Sequence, residues 1–407
     1  MDREVLKQIS ERYETPAYVF DLDMLRERIR MMEGILGRAQ ICFAMKANPF
    51  LVQCRELGIS KYEVCSPGEF HICERAGVSP EKIVLSGVYK AEEDVRHTIE
   101  SCGNKATYTI ESRSHLELLE RLAKEKGIVL PALIRVTSGN QFGVDEEEIC
   151  KIIDSRNQYP HIEFCGLQYY SGTQKKKLSK IEKELVHLDE FIQRLEEAYG
   201  YQAKELEYGP GFYVPYFAGD PEVDDQELLK AFAALLEGLH FRGHITLEMG
   251  RYIAAYCGYY LTRIVDQKIN KEQRYAIVDG GIHHLSYFGQ MMAMKLPHYQ
   301  HIPAENEIKE SDAAEEWNIC GSLCTVNDVI VKQLPLINGR VGDLLVFERV
   351  GAYSVTEGIY LFLSRNLPQI LTYEKKEGVK VLRPEIASDM LNDGSITLRI
   401  SESVALR

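Results

Sequence analysis

The sequence has no apolar run approaching the ~18 residues that span a bilayer, so no transmembrane segment is expected. Its first residues, Met1-Asp-Arg-Glu-Val-Leu-Lys-Gln, are charged and lack the apolar core of a secretory signal. Positive charge is scarce: 48 Lys and Arg stand against 61 Asp and Glu, a formal net charge of −13. Nucleic acids and anionic membranes both need a basic face, so neither is expected as a partner. Ten cysteines are scattered without a compact framework, and Cys320 and Cys324 are the closest pair. No second pair with zinc-like spacing accompanies them, so no metal site is expected. With no secretion signal, the cysteines read as reduced thiols in a cytoplasm. Repeats, low-complexity tracts and flexible linkers are missing too. What is present, 45% hydrophobic and 27% charged residues in a 407-residue chain, is enough for two domains with their own cores.

Short β-rich runs at about 41–45, 62–65, 83–86, 108–111, 132–136, 164–170, 205–208 and 244–248 alternate with helical patterns. The clearest helix has Leu178, Ile181, Leu185, Leu188, Ile192, Leu195 and Tyr199 on one face. Before the first run, Ala17–Phe20 reads as a strand, and Asp21 as the N-cap of a helix to about Leu36. Ser114 with Glu117 suggests a capping box, and Asp145 a cap for the helix through Ile153. Eight strands alternating with helices imply a parallel sheet, and the closed (β/α)8 TIM barrel fits their number; an open doubly wound sheet is the alternative. Past about residue 250, strand-like runs such as Tyr275–Val278, Asp328–Lys332 and Leu344–Phe347 are separated by Gly, Asn and Pro turns, as in a β-rich domain. The expected division is a barrel over 21–245 and a β-rich domain from 1–20 and 246–407.

In such a barrel, chemistry gathers where the strands end. Lys46 follows the first strand in Ala44-Met-Lys46-Ala-Asn48-Pro49, and Asn48-Pro49 stops the strand. An amine with an apolar body behind it has a depressed pKa and suits attack on a carbonyl; the competing reading is a surface lysine that opens a loop. Arg135 ends strand five, and Tyr170-Ser-Gly172-Thr173 ends strand six. Gly209-Pro-Gly211-Phe212 follows strand seven; its bare N–H groups can bind phosphate, or the segment is a simple turn. Glu248-Met-Gly250-Arg251 ends strand eight. Glu248 could hold a pyridine nitrogen protonated while Arg251 grips a phosphate or carboxylate, or the two form an ordinary ion pair. Cys324 is either a small buried hydrophobe or a proton donor beside a cofactor.

Taken in order, these motifs resemble the fold-type III (alanine-racemase-like) pyridoxal-phosphate decarboxylases, which include diaminopimelate, ornithine and arginine decarboxylases. The similarity runs from Thr15-Pro16 to about Tyr373. Ala44-Met-Lys46-Ala-Asn48 resembles the family's cofactor-lysine motif, and Gln141-Phe-Gly143 its Lys-Phe-Gly. Gly209-Pro-Gly211-Phe212 is similar to its phosphate loop, and Glu248-Met-Gly250-Arg251 to its Glu-Pro-Gly-Arg. Gly321-Ser-Leu-Cys324 resembles the motif of its proton-donating cysteine, and Gly351-Ala-Tyr353 its late Gly-Ala-Tyr. The resemblance implies that Lys46 holds pyridoxal 5′-phosphate covalently and Glu248 pairs with the ring nitrogen. It places Arg135, Tyr170, Thr173, Gly209, Gly211, Gly250, Arg251 and Tyr353 around the cofactor. It gives Cys324 the task of reprotonating the substrate α-carbon after CO2 leaves. In the family that cysteine crosses from a second subunit, so a homodimer with shared active sites is implied.

Departures from the family pattern bear on the substrate. Tyr170 stands where the family has a histidine. Thr325, directly after Cys324, stands where diamine and diaminopimelate enzymes carry an acid for the distal amine. The stretch from Asp279 to Tyr287 lacks an arginine that diaminopimelate enzymes have there. Arg251, Thr325 and Tyr353 are the expected substrate contacts. Asp279-Gly-Gly-Ile-His283-His284 and Tyr170-Ser-Gly-Thr-Gln look like a secondary-metabolite branch. A butirosin-type member of that branch acts on a glutamyl group tethered to an acyl carrier protein. The expectation is therefore decarboxylation of an amino acid without a distal ammonium, free or carrier-tethered. His283 and His284 are expected to be solvated loop residues unless they face the tether. The alternatives are a diaminopimelate decarboxylase with a variant pocket, an amino-acid racemase and, outside enzymes, a pyridoxal-phosphate carrier protein.

Overall fold

The structure, a computed structural model, describes residues 1–54, 57–304 and 313–393. They fall into two compact units. The chain begins with helix α1 (Arg3–Arg12) and strand β1 (Ala17–Asp21), which belong to the strand-rich unit. Helix α2 (Leu22–Leu36) follows, and its first turn is capped as expected: the Met24 N–H donates to Asp21 Oδ1 at 3.0 Å.

The first unit comprises residues 26–214 and 223–253. Its strands are β2 (Ala39–Ala44), β3 (Lys61–Val64), β4 (Ile83–Leu85), β5 (Thr107–Ile110), β6 (Leu130–Val136), β7 (Ile162–Tyr170), β8 (Glu205–Gly209) and β9 (His244–Met249). All eight are parallel, and β9 pairs with β2 to close a barrel. The closed barrel, not the open sheet, is the fold, and each strand overlaps its expected run. The boundary expected at 245/246 needs correction, because it falls inside β9. That strand pairs with β2 through Met249, so the unit extends to Ile253.

The helices are α3 (Pro67–Ala76), α4 (Glu92–Cys102), α5 (Arg113–Lys126), α6 (Glu146–Asp154), α7 (Leu178–Tyr199) and α8 (Asp225–Gly238). Helix α7 buries Ile181, Leu185, Leu188, Ile192 and Leu195, the expected stripe. Each such side chain contributes roughly 1.5–3 kcal/mol on full burial. Asp145 caps α6 through the Glu148 N–H. Ser114 does not cap α5. The extended residue is Ser112, whose hydroxyl accepts from the His115 N–H, and this puts Ser114 inside the first turn.

The second unit comprises residues 1–25, 215–222 and 254–407 as far as described, so it also takes up a short segment the sequence reading left in the barrel. Its strands are β10 (Gly258–Asn270), β11 (Gln273–Val278), β12 (Tyr299–Ile302), β13 (Ala314–Cys320), β14 (Val329–Ile337), β15 (Leu344–Glu348), β16 (Gln369–Glu374) and β17 (Gly378–Arg383). With β1 they form a nine-stranded sheet of order β14-β13-β11-β10-β1-β16-β17, with β15 on β10 and β12 on β15. Strand β1 is buried along its whole length, antiparallel to β10 and parallel to β16. Leu6, Ile9, Val19, Leu261, Val346 and Leu371 are among its core residues. No helix among the described residues is long and apolar enough to cross a membrane.

Candidate active site

In the barrel unit, β2 ends at Ala44 and a single 3-10 turn, Met45–Ala47, carries Lys46 off the strand. Buried Asn48 sets the next turn by accepting the Phe50 N–H at 3.2 Å. The strands on either side of β2 bring two carboxylates to the lysine. Glu63 on β3 lies beside Ala44 in register, and Glu248 on β9 beside Cys42. Lys46 Nζ is 2.9 Å from Glu63 Oε2, 3.4 Å from Glu248 Oε1 and 3.8 Å from Cys65 Sγ.

One cation cannot neutralise two buried carboxylates, and the pair divides accordingly. Burial raises the Glu63 carboxyl, but the Lys46 charge and hydrogen bonds from Glu248 and Lys46 outweigh it, and the net shift is down. Burial, followed by the Glu63 charge, holds Glu248 well above the usual carboxylate range. Of the two, Glu248 holds a proton the more readily, and Glu63 is favoured as the carboxylate.

Beneath them the barrel interior is polar. Gln168 Nε2 donates to Glu207 Oε1 at 2.6 Å and to Ser86 Oγ at 3.2 Å. Glu207 Oε2 has no partner among the described residues. Lys61 pairs with Glu205 at 2.7 Å, and Thr246 donates to the same carboxylate at 2.6 Å. Burial pushes the Glu207 carboxyl up to about 8, against the Gln168 hydrogen bond and with the Glu63 charge behind it. The folded state thus retains a proton that the unfolded chain releases near pH 4.5. Stability should fall as pH rises from there through 8, at up to about 1.4 kcal/mol per pH unit. Glu207→Gln is expected to remove that slope. Urea melts at pH 5.5 and 8 should show the variant gaining on the native chain as pH rises.

The ends of β7, β8 and β9 close up through three glycines. A Cβ on Gly209 would lie 2.5 Å from the Tyr170 ring, and one on Gly250 would lie 2.7 Å from the Ala47 Cβ. Gly211 has φ +61°, and a Cβ there would lie 2.0 Å from the Gly172 carbonyl oxygen. Only glycine fits at these three positions, and the close-packed cradle they form with the Tyr170 ring, Ala47 and Gly172 has no room for a further Cβ. Arg251 Nε donates to Thr173 Oγ1 at 3.2 Å beside it. Burial raises the Tyr170 phenol.

The structure thus gathers Lys46, Tyr170, Thr173, Gly209, Gly211, Glu248, Gly250 and Arg251 at one end of the barrel. Glu248 and Arg251 do not form the ordinary ion pair, since Glu248 turns to Lys46 and Glu63. Arg135 is held by Glu111 at 3.2 Å, with its guanidinium 4.6 Å over the Phe142 ring. Sequence reasoning missed Glu63, Glu207 and Gln168. The available signal was Lys61-Tyr62-Glu63, two charges two residues apart in a short strand, which puts both on one face. It also missed Lys90, whose amine burial pushes down to about 8 and which donates to the Gly87 carbonyl at 2.9 Å.

In the strand-rich unit, Cys324 is exposed, so the buried-hydrophobe reading does not hold. Its loop is folded around the buried Asp328 carboxylate. That group accepts the Ile282 N–H at 2.8 Å and the Leu323 N–H at 2.7 Å. Thr325 shares the loop and is half-buried. Tyr353 has φ +68°, a left-handed conformation rare for its type. His283 and His284 are not solvated: they are 1% and 2% exposed, with ring centroids 3.8 Å apart. The Tyr260 hydroxyl and the Asn366 carbonyl hold the two nitrogens of His284 at 3.1 and 2.9 Å. These histidines are therefore built into the core and cannot face a tether.

An amine between two carboxylates at the strand ends of a parallel barrel, beside a cradle built on glycines, suits a pyridoxal-binding barrel enzyme. Residues 22–255 match the family described as pyridoxal-dependent decarboxylase, pyridoxal binding domain, and the chain belongs to that family. It is 26% identical over 395 residues to the L-glutamyl-[BtrI acyl-carrier protein] decarboxylase of Niallia circulans, covering 90% of this chain and 91% of that one. It is also 26% identical over 412 residues to the diaminopimelate decarboxylase of Aquifex aeolicus, covering 97% and 94%. The crystal structure of diaminopimelate decarboxylase from Methanocaldococcus jannaschii superposes with a TM-score of 0.84 at 24% identity, over 95% of this chain and 93% of that one. The protein is thus a pyridoxal-phosphate-dependent amino-acid decarboxylase. The relatives match through the strand-rich unit as well as the barrel, which removes the carrier-protein alternative.

The residues present fit the cofactor. Lys46 offers the amine, Glu248 a carboxyl group whose buried setting favours a shared proton, and the Gly209–Gly211 cradle with Thr173 and Arg251 a place for a phosphate.

Proposed function

We propose that the substrate is an α-amino acid without a distal ammonium, presented on an acyl carrier protein. The observation that carries this reading is Thr325. A site that bound a distal ammonium through the residue after Cys324 would need a carboxylate there, and threonine brings no charge. The similarity to the Niallia circulans enzyme supports the tether.

In this reading Lys46 would hold the cofactor covalently, with the Glu63 carboxylate 2.9 Å from its nitrogen to steady positive charge there. Bound pyridoxal phosphate supplies an electron sink for the Cα–carboxylate bond as CO2 departs. Glu248 would face the ring nitrogen, Tyr170 would pack on the ring, and Thr173, Gly209, Gly211, Gly250 and Arg251 would hold the phosphate with Tyr353. Arg135, fixed by Glu111 and Phe142, would line the cofactor site. Cys324 of one subunit returns a proton to the α-carbon in the site of the other, so the working unit is a homodimer. Arg251, Thr325 and Tyr353 contact the substrate.

A cationic patch supports the carrier. Lys176, Lys177, Lys180 and Lys183 are exposed at the start of α7, just past Thr173. None of the four forms an ion pair among the described residues; Lys176 lies 4.5 Å over the Tyr213 ring. Helices α4, α6 and α8 begin with acidic residues, as the helix dipole favours, whereas α7 has none in its first turn. On a chain of charge −13, four uncompensated lysines beside the cradle suit an acidic partner.

The test is CO2 release from a glutamyl-loaded carrier protein, free L-glutamate, L-lysine and meso-diaminopimelate. Turnover of the loaded carrier alone supports the reading. Rapid turnover of meso-diaminopimelate would instead establish the diaminopimelate enzyme. Reversing three charges (K176E, K180E, K183E) should lower kcat/KM for the loaded carrier by about 10-fold or more at low salt, since steered association is this sensitive to charge. The variant should leave kcat unchanged.

A further inference from the structure

We propose that His71, Glu74 and His97 form a binding site for a divalent transition-metal ion of the zinc type on the outside of the barrel, tying α3 to α4. His71 and Glu74 are three residues apart on α3 and so share one face. His97 faces them from α4. One ligand atom from each residue can be chosen so that all three lie within 4.8 Å of one another. Tetrahedral ligands about 2.0–2.2 Å from zinc stand roughly 3.4 Å apart. His97 Nε2 and Glu74 Oε2 are already 3.1 Å apart, so only the His71 ring has to close in.

The ligands are held in place. Ser101, one turn on from His97, donates to the other Glu74 oxygen at 2.9 Å. The His97 ring meets Phe70 edge-on, with centroids 5.7 Å apart at 81°. The two imidazoles lie 5.4 Å apart. A plain His97–Glu74 ion pair would account for two of these residues but not for His71. Two ring nitrogens and one carboxylate select zinc, cobalt or nickel over magnesium or calcium, which take oxygen ligands. All three residues are exposed, so a fourth coordination position opens to solvent and can take water or a donor from another molecule.

Cysteine spacing carries no sign of this site, which is built from histidine and glutamate on two helices. His71-x-x-Glu74 was readable as one helix face, but its partner lies 23 residues on, across a β-strand.

The experiment uses the tag-free holoenzyme. Zn2+ is titrated against a chromophoric competitor, and Co2+ is followed by its visible bands, in the native chain and in His71→Ala, His97→Ala and Glu74→Gln. These positions are exposed, so the variants should fold as the native chain does. One ion per chain is expected to bind with micromolar affinity, giving the intense bands of four-coordinate cobalt. Each substitution should weaken binding at least tenfold without changing decarboxylation in metal-free buffer. Absence of one-to-one binding at 100-fold molar excess of Zn2+ would overturn the proposal. So would affinity that survives loss of either histidine, which would assign the metal to other donors such as the exposed Cys324.

Discussion

Lys46→Ala is expected to abolish decarboxylation, by on the order of 10⁴-fold or more, and to leave the purified protein without the visible absorbance of bound coenzyme. No other described amine lies between Glu63 and Glu248, so nothing can substitute for it. The alanine variant also leaves those carboxylates without their cation, and breaking a buried pair costs about 3–5 kcal/mol. Lys46 is 38% exposed at its side chain, so solvent reduces that cost. Lys46→Arg separates the two effects, because it keeps the charge but offers no amine to a carbonyl at neutral pH. It should fold like the native chain, show no covalent coenzyme by mass spectrometry and remain inactive. Retention of the absorbance in Lys46→Arg would mean that another lysine carries the coenzyme, and Lys90 would be the first to examine.

Cys324→Ala should lower kcat by about 10²–10⁴-fold, the usual contribution of a positioned acid, while coenzyme content stays at the native level. The two lesions should also complement each other. If each site draws its lysine from one subunit and its thiol from the other, half of the sites in a Lys46→Ala/Cys324→Ala heterodimer are intact. Random exchange between the two inactive homodimers of a two-fold assembly should then restore about a quarter of native activity. Sites built within one chain would give no recovery on mixing, which would refute the shared arrangement while leaving the role of Cys324 to the single variant.

The barrel was legible because its strands are short apolar runs at regular spacing and its helices carry clean stripes, as α7 does. The rim residues could be read because glycines and charges interrupt those runs where each strand ends. The interior polar column could not. Glu63 and Glu207 sit inside strands, where a charge looks like the solvent face of an alternating pattern, and only barrel closure turns them inward. His283 and His284 were misjudged for the opposite reason. They follow a Gly-Gly turn and so look like loop residues, yet Tyr18, Tyr260 and Tyr360 enclose them. The cap of α5 was misplaced by two residues because both Ser112 and Ser114 have the right chemistry and only backbone conformation separates them.

The crowding of acids inside the barrel also bears on how long the polypeptide survives after synthesis. A newly made chain that has not met its vitamin must keep several buried carboxyl groups with few counterions. Such an apoprotein opens more often, and the opened form is what proteases degrade. Cellular abundance of this enzyme should therefore track vitamin B6 supply even when transcription is constant, so that nutrient status sets the amount of enzyme as well as its occupancy.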